Sequence, residues 1–147
     1  MTTIGWKESI DLPEWGIAHL TAKADTGARR SAIDVKKIKE LPNNQVQFDI
    51  VLHREDRDIT QTVITDIAHQ THVRSSNGQQ HERYFVKTVV TIGEQSKTIE
   101  LSLVDRKAMT CRMLLGRKAL EGDFLVDSSQ TYLSRTEKKL KVRPIKG

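Results

Sequence analysis

Cysteine is nearly missing from this sequence: Cys111 is the only one in 147 residues. That excludes an internal disulfide and a cysteine-rich zinc cage, and a reducing, cytoplasmic location is the economical reading. Proline (three) and glycine (eight) are also scarce, and no linker-like or repetitive stretch divides the chain. A single domain over residues 1–134 is expected, long enough to bury a core without staples. Aromatics amount to 5%, too few for the stacking platforms that hold nucleic acid. No apolar run reaches the roughly 18 residues of a membrane helix. The opening Met1–Glu8 stretch lacks the apolar segment of a signal peptide. Neither a membrane nor a nucleic acid is therefore an expected partner.

Charge of one sign is scarce everywhere but the end. The formal net charge is +5. Residues 135–147 carry six basic side chains (Arg135, Lys138, Lys139, Lys141, Arg143 and Lys146) against one acid, Glu137. The remaining residues hold 18 groups of each sign. The basic character thus belongs to a C-terminal tail, read as flexible and solvated, with RNA or a ribosomal surface as an alternative contact.

What is present is mostly strand. Gln47 to Leu52 alternates polar and apolar residues ahead of a charged loop, His53 to Asp58. Tyr84–Ile92 and Lys97–Val104 are rich in β-branched and aromatic residues, and the Gly93–Ser96 turn between them predicts a hairpin. Asn77-Gly78 is the strongest turn signal, which predicts a second hairpin between Val63–Arg74 and Gln79–Ile92. Helix is expected only at Ser31–Leu41 and at Arg117–Glu121, the latter closed by Gly122. The fold class is mostly β, a small closed or partly open barrel. Trp6 and Trp15 are expected to pack the N-terminal strand against it, and Cys111 is read as a half-buried structural thiol.

Two segments suggest chemistry. Asp25-Thr26-Gly27-Ala28 follows a short strand and sits in a turn. Gly27 permits close backbone approach and Thr26 can lock the turn by hydrogen bonding. By itself this could be an ordinary Asx-turn. Later, Arg112–Leu120 reads RMLLGRKAL: an apolar strand ending in glycine, then Arg117 and a short helix.

The order D-T-G-A, glycine-tipped hairpin, then apolar-apolar-Gly-Arg before a helix resembles the retropepsin-like aspartic peptidases. The phrases GWKE, LPEWGI, AKADTGARRSA, VRSSNG, ERYFV and DRKAMTCRMLLGRKALEGDFLVD are similar to a bacterial family named ATP-dependent zinc proteases. That family is often encoded beside ATP-grasp ligases that add glutamates to a ribosomal protein. The resemblance implies a barrel with Asp25, Thr26 and Gly27 as the catalytic triplet. An acid dyad needs two carboxyls about 3 Å apart sharing one proton. One chain holds one D-T-G, and Asp34, Asp66, Asp105 and Asp127 lie outside any second. The resemblance therefore implies a homodimer, with Asp25 from each copy on the two-fold axis. Ser76, Asn77 and Gly78 would form a flap over the substrate.

Departures from the retropepsin pattern matter. Lys23, two residues before Asp25, replaces an apolar residue, and strand alternation puts it on the same face. A lysine there favours an ionised dyad over a shared proton. Arg29, followed by Arg30, replaces the acid that normally pairs with the arginine matching Arg117. Lys23, Ala28, Arg29, Arg30 and Arg117 are then candidates for binding an acidic peptide or glutamate-rich protein tail, since arginine forks suit carboxylates. A ligase of the ATP-grasp type or a ribosomal protein would be a partner.

Zinc and ATP find little support. H-E-x-x-H and G-x-x-x-x-G-K-[ST] are absent, and no cofactor is expected. His69, His72 and His81 are the only clustered imidazoles, and strand geometry puts the first two on opposite faces. The leading reading is an aspartic peptidase. A non-catalytic module that binds acidic peptides through the same residues, and a zinc-dependent protease, are the alternatives.

Overall fold

A computed structural model describes residues 1–74, 76, 78, 80–105 and 110–134. Ten strands and one short helix follow in order: β1 (Thr2–Leu12), a 3-10 turn (Pro13–Trp15), β2 (Ile17–Ala24), β3 (Ser31–Leu41), β4 (Gln45–Val51), β5 (Thr60–Asp66), β6 (His69–Arg74), β7 (Gln80–Ile92), β8 (Gln95–Val104), β9 (Met113–Leu115), α1 (Arg117–Leu120) and β10 (Phe124–Thr131). Hydrogen bonding runs β1-β2-β9-β3-β8-β7, and the Asp11–Thr91 pairing of β1 with β7 closes this path into a barrel of six strands. Closure removes the unpaired edges that a sheet this size would otherwise expose. Three additions hang outside: β10 runs parallel to β1, β6 extends β7, and the β4–β5 hairpin leaves from β3.

The expected mostly-β small barrel is thus the observed fold. Alternation fills its interior: Ile33 and Val35 of β3, Leu101 and Leu103 of β8, Val86 and Val90 of β7, and Met113 and Leu115 of β9 are all buried. The β7–β8 hairpin forms as expected, with Ile92 paired to Gln95. So does α1, where Gly122 follows with φ +79°.

Four expectations fail. Ser31–Leu41 is strand, not helix, because its first residues pair parallel to β8 and antiparallel to β9, and Val35–Leu41 pairs antiparallel to β4. Val63–Arg74 is two strands. The chain breaks at Ile67-Ala68, so β5 pairs with β4 and only β6 faces β7. Cys111 is buried rather than half-buried. Trp15 packs edge-on against Phe48 at 5.7 Å, whereas Trp6 remains 36% exposed and contributes little to the core. The basic tail over 135–147 lies outside the described residues.

Two buried acids tie the barrel to its additions. Asp34 of β3, fully buried, bonds the guanidiniums of Arg112 and Arg57, fastening the β4–β5 loop to the approach to β9. Burial lowers the Arg112 guanidinium from its ordinary value, while its bond to Asp34 raises that of Arg57. Glu8 of β1, 1% exposed, accepts from the amides of Gly5, Leu133 and Ser134, holding the chain beyond β10 against β1.

Candidate functional site

Asp25 is the first residue past β2. Its amide donates to the Leu115 carbonyl at 2.8 Å, continuing the parallel β2–β9 pairing that ends at Ala24–Leu115. The next residues turn sharply: the Gly27 amide donates to Asp25 Oδ1 at 3.0 Å and the Ala28 amide to the Asp25 carbonyl at 3.2 Å. Such an Asx-turn fixes the carboxyl rotamer with one lone pair occupied. Asp25 is half-buried and Thr26 and Gly27 are exposed, so the carboxyl sits at the mouth of a loop and not in the core.

The segment after β9 clamps this loop from behind. The Arg117 and Lys118 amides donate to the Ala28 and Arg29 carbonyls at 2.8 and 3.0 Å. The Gly116 amide donates to Ser31 Oγ at 3.0 Å. Arg117 Nη1 donates to the Thr26 carbonyl at 3.1 Å, so it bonds backbone where the expected pattern has an acid. Gly116 makes this possible. A Cβ there would stand 2.5 Å from the Arg30 carbonyl carbon and oxygen, so only glycine lets the two segments cross.

The other expected site residues are distributed as follows. Lys23 is exposed on β2, opposite Lys7 in register. Arg29 is exposed. Arg30 lies over the Phe85 ring at 4.8 Å and approaches Glu100 at 3.9 Å. Ser76 and Gly78 are exposed at the tip between β6 and β7, Gly78 with φ +85°; Asn77 lies outside the described residues. His69 contacts the Phe85 ring at 5.1 Å, and His72 stands opposite Glu82 on the paired strand. The His81 side chain is outside the described set. Among the described residues no three His, Cys, Asp or Glu side chains gather as a metal site. Sequence reasoning missed Ser31 and Gly116 as braces of the loop, although both lie inside quoted motifs.

The arrangement presents one carboxylate whose only hydrogen bond among the described residues comes from the Gly27 amide. It can accept a proton from a water. Peptide-bond hydrolysis of the dyad type needs a second acid to polarise the carbonyl.

A family described as "Retropepsin-like aspartic endopeptidase RimB" has a sequence model that matches residues 3–137. The chain belongs to this RimB-like family. Its relatives include proteins named "Probable alpha-L-glutamate ligase". That of Shewanella pealeana is 30% identical over 98% of this chain and 32% of its own length. That of Parasynechococcus marenigrum is 32% identical over 88% of this chain and 28% of its own. The RimB-like chain therefore spans about a third of these relatives. A crystal structure of a protein of unknown function from Legionella pneumophila superposes with a TM-score of 0.74 at 21% identity, covering 90% of this chain and 98% of that one. It shows the fold. No helix among the described residues is long and apolar enough to cross a membrane.

Proposed function

We propose that this RimB-like chain is a peptidase that hydrolyses peptide bonds in acidic, glutamate-extended protein tails, with Asp25 contributed by each of two copies. The observation that carries the reading is the braced Asp25-Thr26-Gly27 loop, which offers a half-buried carboxyl at an open face. In the reaction the ionised Asp25 takes a proton from a water as its oxygen attacks the scissile carbonyl carbon. The protonated Asp25 of the second copy donates to the carbonyl oxygen, and collapse of the tetrahedral intermediate expels the amine with a returned proton.

The surface beside the loop supports pairing of two copies. A groove of about 280 Å³ runs from Thr26 and Arg117 past Glu121 and across the apolar Leu120, Phe124, Leu125 and Val126. Leu125 is 55% exposed there. An apolar face abutting a half-complete site is what a second copy would cover. The acidic substrate is supported by the cations around the loop, and by relatives that are named probable alpha-L-glutamate ligases. The same relatives favour a second reading, a domain that only holds an acidic chain for a ligase.

Incubation with a polyglutamate-tailed peptide and a neutral peptide of equal length separates these readings. The peptidase cleaves the acidic peptide faster, and Asp25→Asn lowers turnover by about 10²–10⁴-fold while binding persists. Activity that survives Asp25→Asn, preference for the neutral peptide, or full activity of a strictly monomeric protein overturns the peptidase reading. Binding without turnover by the unsubstituted protein favours the second.

A further inference from the structure

The outer face of the β7–β8 hairpin carries charged residues that serve neither the barrel core nor the Asp25 loop. Lys87 of β7 stands opposite Glu100 of β8 in register, and Thr98 shares their face two residues along. Their neighbours Val86 and Leu101 belong to the core and point the other way. Lys118 and Ala119 of α1 wall one side of this face, and Arg30, just ahead of β3, walls another. The hollow between them holds about 310 Å³, within the roughly 300–1,000 Å³ of small-molecule sites. None of residues 25–29 lines it, so it is separate from the D-T-G-A loop.

Its charges are lopsided and little used. Three cations, Arg30, Lys87 and Lys118, surround one carboxylate, Glu100. Lys87 and Lys118 are exposed and form no ion pair among the described residues, although Lys87 lies directly across from Glu100. Glu100 meets Arg30 only at 3.9 Å, the outer limit of an ion pair. Arg30 is held instead by lying over the Phe85 ring at 4.8 Å.

The lining dictates the charge of a ligand. A plain anion would suit the cations but meet the Glu100 carboxylate, and a plain cation would face three like charges. A small molecule with two carboxylates and one ammonium satisfies both signs. The guanidinium and the two lysine ammoniums donate to its carboxylates, and Glu100 accepts from its ammonium. Ala119 offers an apolar wall for a short methylene stem. That is the pattern of glutamate or aspartate as the free amino acid. We infer that Arg30, Lys87, Glu100 and Lys118 bind a free dicarboxylic amino acid in this hollow, apart from the site of peptide cleavage. Binding does not require cleavage. On the peptidase reading, such an amino acid is what complete trimming of a glutamate tail releases, and the hollow then senses product.

Amide-resolved NMR titration of the full chain with L-glutamate tests this, with glutarate, L-glutamine and isoglutamine as comparators. Glutarate lacks the ammonium and L-glutamine the side-chain carboxylate. Isoglutamine lacks the α-carboxylate, as the first residue of a chain does. Shifts should centre on Lys87, Thr98, Glu100 and Ala119, and glutamate should bind at least about threefold tighter than each comparator. Glu100→Gln should abolish the preference over glutarate. Lys118→Gln should weaken glutamate binding by about threefold or more. The Lys118 side chain is exposed and its bond to Arg29 runs through the main chain, so folding is not at stake. Shifts centred on Asp25–Ala28, no saturation by about 10 mM, equal binding of glutarate, or indifference to Lys118→Gln overturns the inference. Isoglutamine binding as tightly as glutamate assigns the hollow to a chain end and overturns it too. None of these readouts depends on cleavage, so failure of the peptidase reading is told apart from failure of the site.

Discussion

Substituting Gly116 tests whether the segment after β9 braces the Asp25 loop. The residue has φ −86° and ψ 177°, an extended backbone open to any amino acid, so alanine brings no torsional penalty. The cost is steric. The added methyl stands 2.5 Å from the carbonyl carbon and oxygen of Arg30 and 2.8 Å from its nitrogen, against about 3.5–4.0 Å for a relaxed contact. The obstacle is backbone and cannot rotate away, so one segment must move by about 1 Å. Overpacking of this kind costs about 1–3 kcal/mol. The shift also stretches the Gly116–Ser31, Arg117–Ala28 and Lys118–Arg29 bonds, each contributing about 0.5–1.5 kcal/mol. Gly116→Ala is therefore expected to destabilise by about 2–5 kcal/mol in urea unfolding, and to lower peptide cleavage beyond the loss of folded protein. Gly122→Ala is the control. Gly122 has φ +79° and nothing within 4 Å of its Cβ position, so it should cost about 1 kcal/mol, from conformation alone. A Gly116→Ala protein within 0.5 kcal/mol of the parent would refute the brace.

Two further predictions concern buried polar groups. Asp34→Ala removes the carboxylate bonded by Arg112 and Arg57 and leaves Arg112, whose side chain is only 3% exposed, without its acid. Urea unfolding should record a loss of about 3–5 kcal/mol, as when one partner of a buried pair is deleted, and a loss under 1 kcal/mol contradicts the reading. Tyr84 bonds Glu82 at 2.8 Å and Glu40 at 3.0 Å, and burial, followed by these bonds, holds its phenol well above the ordinary 10.0. Above pH 10 the folded state keeps a proton that the unfolded state has lost, so stability is complete below that pH and falls as it is exceeded. A difference titration against Tyr84→Phe should show its phenolate absorbance only as the protein unfolds, and reversible ionisation near pH 10 in the folded state would disprove it.

Strands with clean alternation around a tight turn were readable, and those whose pattern depends on bulges or on changing partners were not. β7 and β8 alternate cleanly and share a two-residue turn, so local signals suffice. β3 misleads because Lys36, Lys37 and Lys39 with Ile33 and Ile38 imitate a helical stripe. The alternation slips at the bulge between Lys36 and Lys39, where Lys37 has φ +54°. What makes it a strand is pairing of Ser31–Asp34 with β8 and β9, some 70 to 80 residues away, and of Val35–Leu41 with β4. The break at Ile67-Ala68 was equally hidden, since its cause is β5 turning to β4. The same division applies at the site. Asp25, Thr26 and Gly27 form a local turn and were visible as a motif. The bond from the Gly116 amide to Ser31 forms only where β3 and β9 meet in register, so neither residue carries a local mark as a brace.

The arginine that replaces an acid after the D-T-G-A motif has a structural counterpart. In the pattern this chain resembles, that acid secures the late arginine, so its loss ought to loosen the loop. Here the fastening passes to backbone. Arg117 donates to the Thr26 carbonyl, and the Ala28 and Arg29 carbonyls accept from the first amides of α1. Arg29 is therefore held through its main chain, while its guanidinium stays exposed with no hydrogen bond or ion pair among the described residues. A side chain relieved of a structural duty can serve recognition, and a cation at that place repels basic substrates as well as attracting acidic ones. An acid restored at position 29 should find Arg117 already engaged by Thr26, and so weaken binding of an acidic chain without strengthening the fold.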